Sequence, residues 1–592
     1  MSLAPLIVRS PLARRLAWAA FAVVAFGPLA GALGAAIAEA SGGSTAGVSA
    51  LEVFSPRRLE LLARSLAFSA GVAGSATALG VAAALGWLAH WPAGARRAQV
   101  WLLASVALPP TVPALAFSRA AGALAAATGV PTIGQTWCAA VAQGAALLPF
   151  CTGLAILALG RCDPLLLDAA RMQASPSRVL WRVALPLARP TLAAGAMLVF
   201  LLSLLDYTMP SIFGVNVYAL EIFVVFSATH RVGDALWLAL PLATLALAVV
   251  TWGIGVPRQL AQQAGPARHS PEAGGTAPAC SAGEPPCVHG PGAQVQALPA
   301  AGPWAGLLQA LPTPVAAALV LAALLSALAW AAPVLALGEA LARPEYLSRT
   351  LLSSGSELVF TAWTSAAAAV GAVLLALVPA LTLAFGNGVG PRTAAGAVAV
   401  RQWPARVMWA LVLLPYVVPP ALTGIGLIGL WRPMGGWGLY GSAGLQVAAE
   451  LARFTPIAVV VLAAAMQRLD PTLLEAALVG ASSMRRALSG VMLPLISPGL
   501  AVAAALSFVL SLGEIGASLL VAPAGSATLS MKTYNYLHYG GSAAAGGLCL
   551  MLLALAAAGA VMGAGLGRLV SVPLRPDAST GDERAKARQG SA

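Results

Sequence analysis

A chain of 592 residues that is 59% hydrophobic and 9% charged, with a mean hydropathy of +0.85, does not fold as a soluble globule. Its formal charge of +13 does not call for a nucleic-acid partner, because most of the arginines stand in short segments between apolar runs, where membrane topology accounts for them. The six cysteines, Cys138, Cys151, Cys162, Cys280, Cys287 and Cys549, are scattered and form no disulfide framework. Cys280 and Cys287 with His289 match no zinc spacing and supply only three ligands, so no metal or other cofactor is expected on this chain.

A transmembrane helix needs roughly 20 apolar residues. About twelve runs qualify, at roughly 14–38, 65–90, 98–118, 136–160, 191–213, 234–256, 312–338, 356–386, 407–431, 443–466, 499–521 and 543–567. Arg9, Arg14 and Arg15 precede the first run and place the N-terminus inside. Ala38-Glu39-Ala40 after that run resembles a signal-peptide cleavage site, but the apolar stretch exceeds the roughly 7–15 residues of a signal core and reads as an uncleaved span. Further along, Arg96, Arg97, Arg161, Arg171, Arg178, Arg182, Arg189, Arg392, Arg401, Arg406, Arg468, Arg485 and Arg486 mark inside loops, and the basic tail returns inside; Arg57, Arg58 and Arg343 fall outside, so the bias is a tendency. Pro109, Pro110 and Pro113, and later Pro415, Pro419 and Pro420, are expected to kink their spans.

An internal repeat organises these elements. Residues 161–170, Arg-Cys-Asp-Pro-Leu-Leu-Leu-Asp-Ala-Ala, return at 468–477 as Arg-Leu-Asp-Pro-Thr-Leu-Leu-Glu-Ala-Ala, an offset of 468 − 161 = 307. Leu108-Pro109 pairs with Leu414-Pro415 at 306, while Leu185-Pro186 pairs with Leu493-Pro494 and Asp206 with Glu514, both at 308. The register divides the chain into a first half at 1–256, a Pro/Gly/Ala-rich linker at 257–303, a second half at 304–570 and a polar tail at 571–592. With about six spans each, the halves are expected to sit parallel in the bilayer.

The repeated loops, 161–190 and 468–498, are the least ordinary part of the sequence. Asp163-Pro164 and Asp470-Pro471 are good helix starts, predicting a short helix outside the bilayer in each. Leu165, Leu166, Ala169 and Ala170 give the first an apolar face, with Asp168 and Arg171 on the polar one. A break at Ala174-Ser175, or at Gly480-Ala481-Ser482, predicts a second short helix that ends at Leu-Pro.

These loops resemble the EAA signature of binding-protein-dependent ABC importer permeases: Glu475-Ala476-Ala477, Gly480 and Leu493-Pro494 in the second copy, Asp168-Ala169-Ala170 and Leu185-Pro186 in the first. The first copy departs from the pattern, with Asp168 for glutamate and Gln173 where glycine would stand; the second places Gly480 one residue early. The resemblance implies an all-α polytopic fold of two parallel six-helix permease halves in a bacterial inner membrane, both termini cytoplasmic. It implies that Asp168, Ala169, Ala170, Pro186, Glu475, Ala476, Ala477, Gly480 and Pro494 couple the chain to ABC ATPase subunits, two copies of which spend the ATP, and that a periplasmic binding protein delivers the cargo. The chain itself is then no enzyme, and it carries no Gly-x-x-x-x-Gly-Lys-Ser/Thr phosphate loop; Gly386 to Gly390 lacks the lysine and reads as a plain loop. Ser511-Leu512-Gly513-Glu514-Ile515-Gly516-Ala517, with Tyr534 and His538-Tyr539-Gly540, looks like the second half of fused ferric-iron permeases, whose relatives carry thiamine, phosphonate and polyamines.

Asp206 and Glu514 each lie about twenty residues past the Leu-Pro of their half, within apolar runs. An ionisable group there either flanks a cation pathway or caps a broken helix and binds nearby backbone or an arginine. A secondary transporter of the major-facilitator kind also has two parallel six-span halves. Its acidic loop between spans two and three has no counterpart between His90 and Arg97.

Overall fold

The computed structural model describes residues 11–41, 50–90, 109–129, 133–253, 303–342, 344–385, 398–433, 439–469, 488–539 and 542–570. Among them there is no strand. The longer helices run α1 (Pro11–Ser41), α2 (Pro56–His90), α3 (Thr111–Thr128), α4 (Ile133–Leu159), α5 (Pro164–Gln173), α6 (Leu185–Leu205), α7 (Tyr218–Thr229) and α8 (Val232–Gly253). They continue with α9 (Thr313–Leu341), α10 (Pro344–Ser353), α11 (Gly355–Phe385), α12 (Val398–Val417), α13 (Pro420–Trp431), α14 (Ala443–Met466), α15 (Leu493–Leu512), α16 (Leu529–His538) and α17 (Ser542–Val570).

Ten helices among the described residues are long and apolar enough to cross a membrane, and the chain is a multi-pass membrane protein. They correspond to ten of the twelve apolar runs. The run at 407–431 is instead a broken pair, α12 and α13, bent by 87°. Pro415 lies inside α12 without interrupting it; the break falls at Val418-Pro419, where two successive prolines remove two backbone donors. The helix restarts when Thr423 N–H donates to the Pro419 carbonyl at 3.1 Å. The run at 98–118 lies largely outside the described residues. Its remainder, α3, begins just after Pro109 and Pro110, as α13 does at Pro419 and Pro420.

Packing repeats along with the sequence. α2 packs on α4 as α11 packs on α14, and α6 lies on both α2 and α4 as α15 lies on both α11 and α14. The first NH of α7 is held by the Ser65 hydroxyl at 2.8 Å, and that of α16 by the Thr361 hydroxyl at 2.8 Å. Arg58, third in α2, pairs with Glu221, fourth in α7, at 3.5 Å. Glu357, third in α11, pairs with Lys532, fourth in α16, at 2.6 Å: the same bridge with its charges exchanged.

The leading helices cross over. α1 packs on α13, α14 and α11, whereas α9 packs on α2, α3 and α4. Sequence alone had grouped α1 with α2 to α8. Small residues make the crossing close: Gly31 of α1 and Gly426 of α13 face each other's backbone. At its far end α1 also holds α8, because the Glu39 carboxylate accepts from Val232 N–H at 2.8 Å and Gly233 N–H at 2.9 Å, the two leading amides of that helix. Those donors have no partner within the helix, and a carboxylate there meets the positive end of the helix dipole. Glu39→Ala should therefore cost about 1–2 kcal/mol, read as a lower thermal midpoint of the detergent-purified chain, with Glu39→Gln falling between.

Candidate functional site

Two places carry polar chemistry. The first is the loop between α4 and α6. Asp163 accepts from Leu165 N–H at 2.9 Å and starts α5 as an N-cap, with Pro164 at the first helical position. α5 sits on the protein through Leu167, which is 1% exposed, and turns Leu165 (76%) and Met172 (88%) outward. Leu166 and Ala169 are exposed as well, so of the apolar face expected from the sequence only Ala170 packs on the protein and the rest points away. Asp168 and Arg171 form the anticipated pair at 3.3 Å.

The expected second short helix ending at Leu-Pro is not what forms. From Pro176 the chain runs through a π-turn at Leu180–Ala184 directly into α6. The cause is Pro186, which has no N–H to give to residue 182 and whose ring would clash with that carbonyl. Widening the turn, so that Leu185 N–H donates to the Leu180 carbonyl, accommodates the ring. The same π-turn, Leu488–Met492, precedes Leu493-Pro494 at an offset of 488 − 180 = 308. Glu475, Ala476, Ala477 and Gly480 lie outside the described residues.

The second place is at the opposite ends of α6 and α15. Neither acid sits in mid-span: α6 stops at Leu205 and α15 at Leu512, and Asp206 and Glu514 follow the breaks. Each caps the restart. Asp206 Oδ1 accepts from Thr208 N–H at 2.9 Å and from its hydroxyl, and Glu514 Oε1 accepts from Ala517 N–H at 2.8 Å. Glu514 also has an arginine partner, because Arg453 of α14 donates to it at 2.9 Å.

Around each acid the sequence repeat places a matching set of side chains. In the first, the Gln143 amide donates to Asp206 at 3.1 Å and its carbonyl oxygen accepts from Ser203 at 3.1 Å. In the second, Glu450 accepts from Ser511 and, at 2.7 Å, from Gln446, whose amide also reaches the Ser518 hydroxyl at 2.7 Å. The offsets, 450 − 143 = 307 and 511 − 203 = 308, are those of the loops. Two bonds join the sets: the Tyr207 hydroxyl donates to the Gly516 carbonyl at 2.9 Å, and the Ser211 and Tyr534 hydroxyls meet at 2.9 Å. A side chain at 516 would collide with Pro420, its Cβ lying 2.6 Å from the proline Cβ.

Gln143, Ser203, Glu450, Arg453 and Tyr207 were not singled out from the sequence. Glu450 and Arg453 carried the signal, as charges inside an apolar run, and carrying the offset of 307 to polar positions would have found Gln143. The arrangement makes a compact, mostly satisfied polar layer in which all three carboxylates already accept hydrogen bonds from the protein. Among the described residues no three His, Cys, Asp or Glu side chains converge as metal ligands. No family model matches the chain, and no curated protein matches it in sequence.

Proposed function

We propose that the chain is the membrane permease of an ATP-driven ABC importer, forming the translocation path for a small solute such as ferric iron that a periplasmic binding protein delivers. In this reading two ATPase subunits dock on the cytoplasmic loops at 161–190 and 468–498, and their closure rocks the helices that follow. The observation that carries it is α5: a capped helix outside the spans that turns Leu165, Leu166 and Met172 to solvent, with a π-turn after it that recurs before Leu493-Pro494. Exposed leucine and methionine on a short basic-ended helix suit the apolar groove of a partner. The polar layer at Asp206 and Glu514 then lies on the periplasmic side, where tyrosine and serine hydroxyls bridge the path.

Affinity purification from mild-detergent membranes tests this. A P-loop ATPase should co-purify with the native chain, and its recovery should fall at least tenfold with Glu475→Lys or Met172→Asp. If the native chain purifies alone and transport runs on an ion gradient without ATP, the protein is a secondary transporter.

A further inference from the structure

Helix Pro303–Gln309 precedes α9 and belongs to no span. Trp304 is 5% exposed, Leu307 1% and Leu311 8%. All three share one buried cluster with Leu167 of α5, Cys162 at the start of the loop and Leu88 at the end of α2. Gly306 faces Arg171 of α5: a Cβ there would stand 2.7 Å from Nη2 and 3.2 Å from Cζ, so glycine lets the guanidinium lie against the backbone. The segment then turns at once into the next helix, with Leu311 N–H donating to the Leu308 carbonyl at 3.3 Å and Ala316 N–H to that of Pro312 at 3.0 Å. Only residues 310–312 separate it from α9, which itself packs on α2, α3 and α4.

We propose that residues 303–311 are a strap that seats the first loop against α2 and ties α5 to α9, so that a displacement of α5 is passed directly to α9. The seat itself stands whatever docks on α5; the transmitted motion rests on the permease reading. Three large apolar side chains buried outside the spans are more than a linker end requires, and Leu167, the most deeply buried residue of α5, lies in the same cluster.

Cys162 is a native reporter of the seat. Its burial pushes the thiol up to about 11, and only the thiolate adds to the maleimide double bond. In membranes carrying a chain whose sole cysteine is Cys162, N-ethylmaleimide should label slowly at pH 7.5, the rate rising about tenfold per pH unit toward that value. Trp304→Ala/Leu307→Ala should label at least tenfold faster and level off near the ordinary thiol pKa of about 8.5, while Leu307→Met stays protected. Equal rates in the strapped and double-variant chains would overturn the proposal. Should the double variant not fold, a cysteine-free chain with Gly306→Cys and Arg171→Cys decides instead: a short bismaleimide should join the two sites, and no link in a monodisperse chain sinks the strap. Neither readout involves an ATPase, so failure of the permease reading leaves both results standing.

Discussion

Gly426→Leu should abolish nearly all recovery of folded protein, whereas Gly34→Leu, on the partner helix, leaves it within about twofold of the native chain. A Cβ at 426 would fall within the radius of the Pro28 carbonyl oxygen and 2.7 Å from the Pro28 carbonyl carbon. From the other side, a Cβ at Gly31 would strike the Gly426 carbonyl oxygen and lie 2.7 Å from the Leu430 Cβ. The obstacles on both sides are mostly backbone, so no rotamer change relieves them and the helices must separate. Overpacking costs about 1–3 kcal/mol where side chains can yield; here alanine should reach the upper part of that range and leucine exceed it. Separation also unseats α1 from α14 and α11, and draws Glu39 away from the start of α8. A Cβ at Gly34 meets nothing within 4 Å, so the same substitution there tests bulk without the crossing. Size-exclusion profiles after graded heating would distinguish the two, and similar profiles for both variants would refute the glycine interlock.

What the sequence could reveal depended on how local the cause was. Apolar runs, the Asp-Pro caps and the repeated loops are set by residues within a few positions of one another, and α5 starts where Asp163 predicts. The π-turn is equally local in cause, yet Pro186 was read as a helix stop because a proline has two remedies, ending the helix or widening it. The crossing of α1 onto α13 was not legible: both helices are apolar around their glycines, so composition does not say which helix a glycine-bearing face meets. For Glu514 the sequence showed a costly acid but not its partner, since Arg453 lies 514 − 453 = 61 residues away on a different helix. The strap was missed for another reason. Pro303 to Gln309 follows a Pro/Gly-rich linker and precedes the first residue of an apolar run, and seven residues are too few to show a period.

The second large effect is expected at Arg453. Its side chain is 13% exposed and that of Glu514 6%, so neither charge has water to fall back on. Buried ion pairs add little over well-packed apolar residues, but breaking one strands the survivor at about 3–5 kcal/mol. Arg453→Ala leaves Glu514 with the Ala517 N–H as its remaining hydrogen-bond donor and with Glu450 on the same helix as the lost arginine. The variant should lose most of its folded yield. Arg453→Lys should recover only part of it, because a shorter ammonium must reach the place from which the Arg453 Nη1 now contacts both Glu514 oxygens at 2.9 Å. Arg453→Leu combined with Glu514→Gln should be markedly more stable than Arg453→Leu alone, an interaction energy that a double-mutant cycle measures. The other set provides the contrast. Ala146 stands at the position 453 − 307 = 146, so Asp206 has no arginine and relies on Thr208 and Gln143. Asp206→Asn keeps an acceptor for the Thr208 amide and should cost about 1 kcal/mol. Comparable losses from Asp206→Asn and Arg453→Ala would mean that the polar layer is held by the cross-bonds of Tyr207 and Ser211 rather than by charge, and Tyr207→Phe would then be the damaging change.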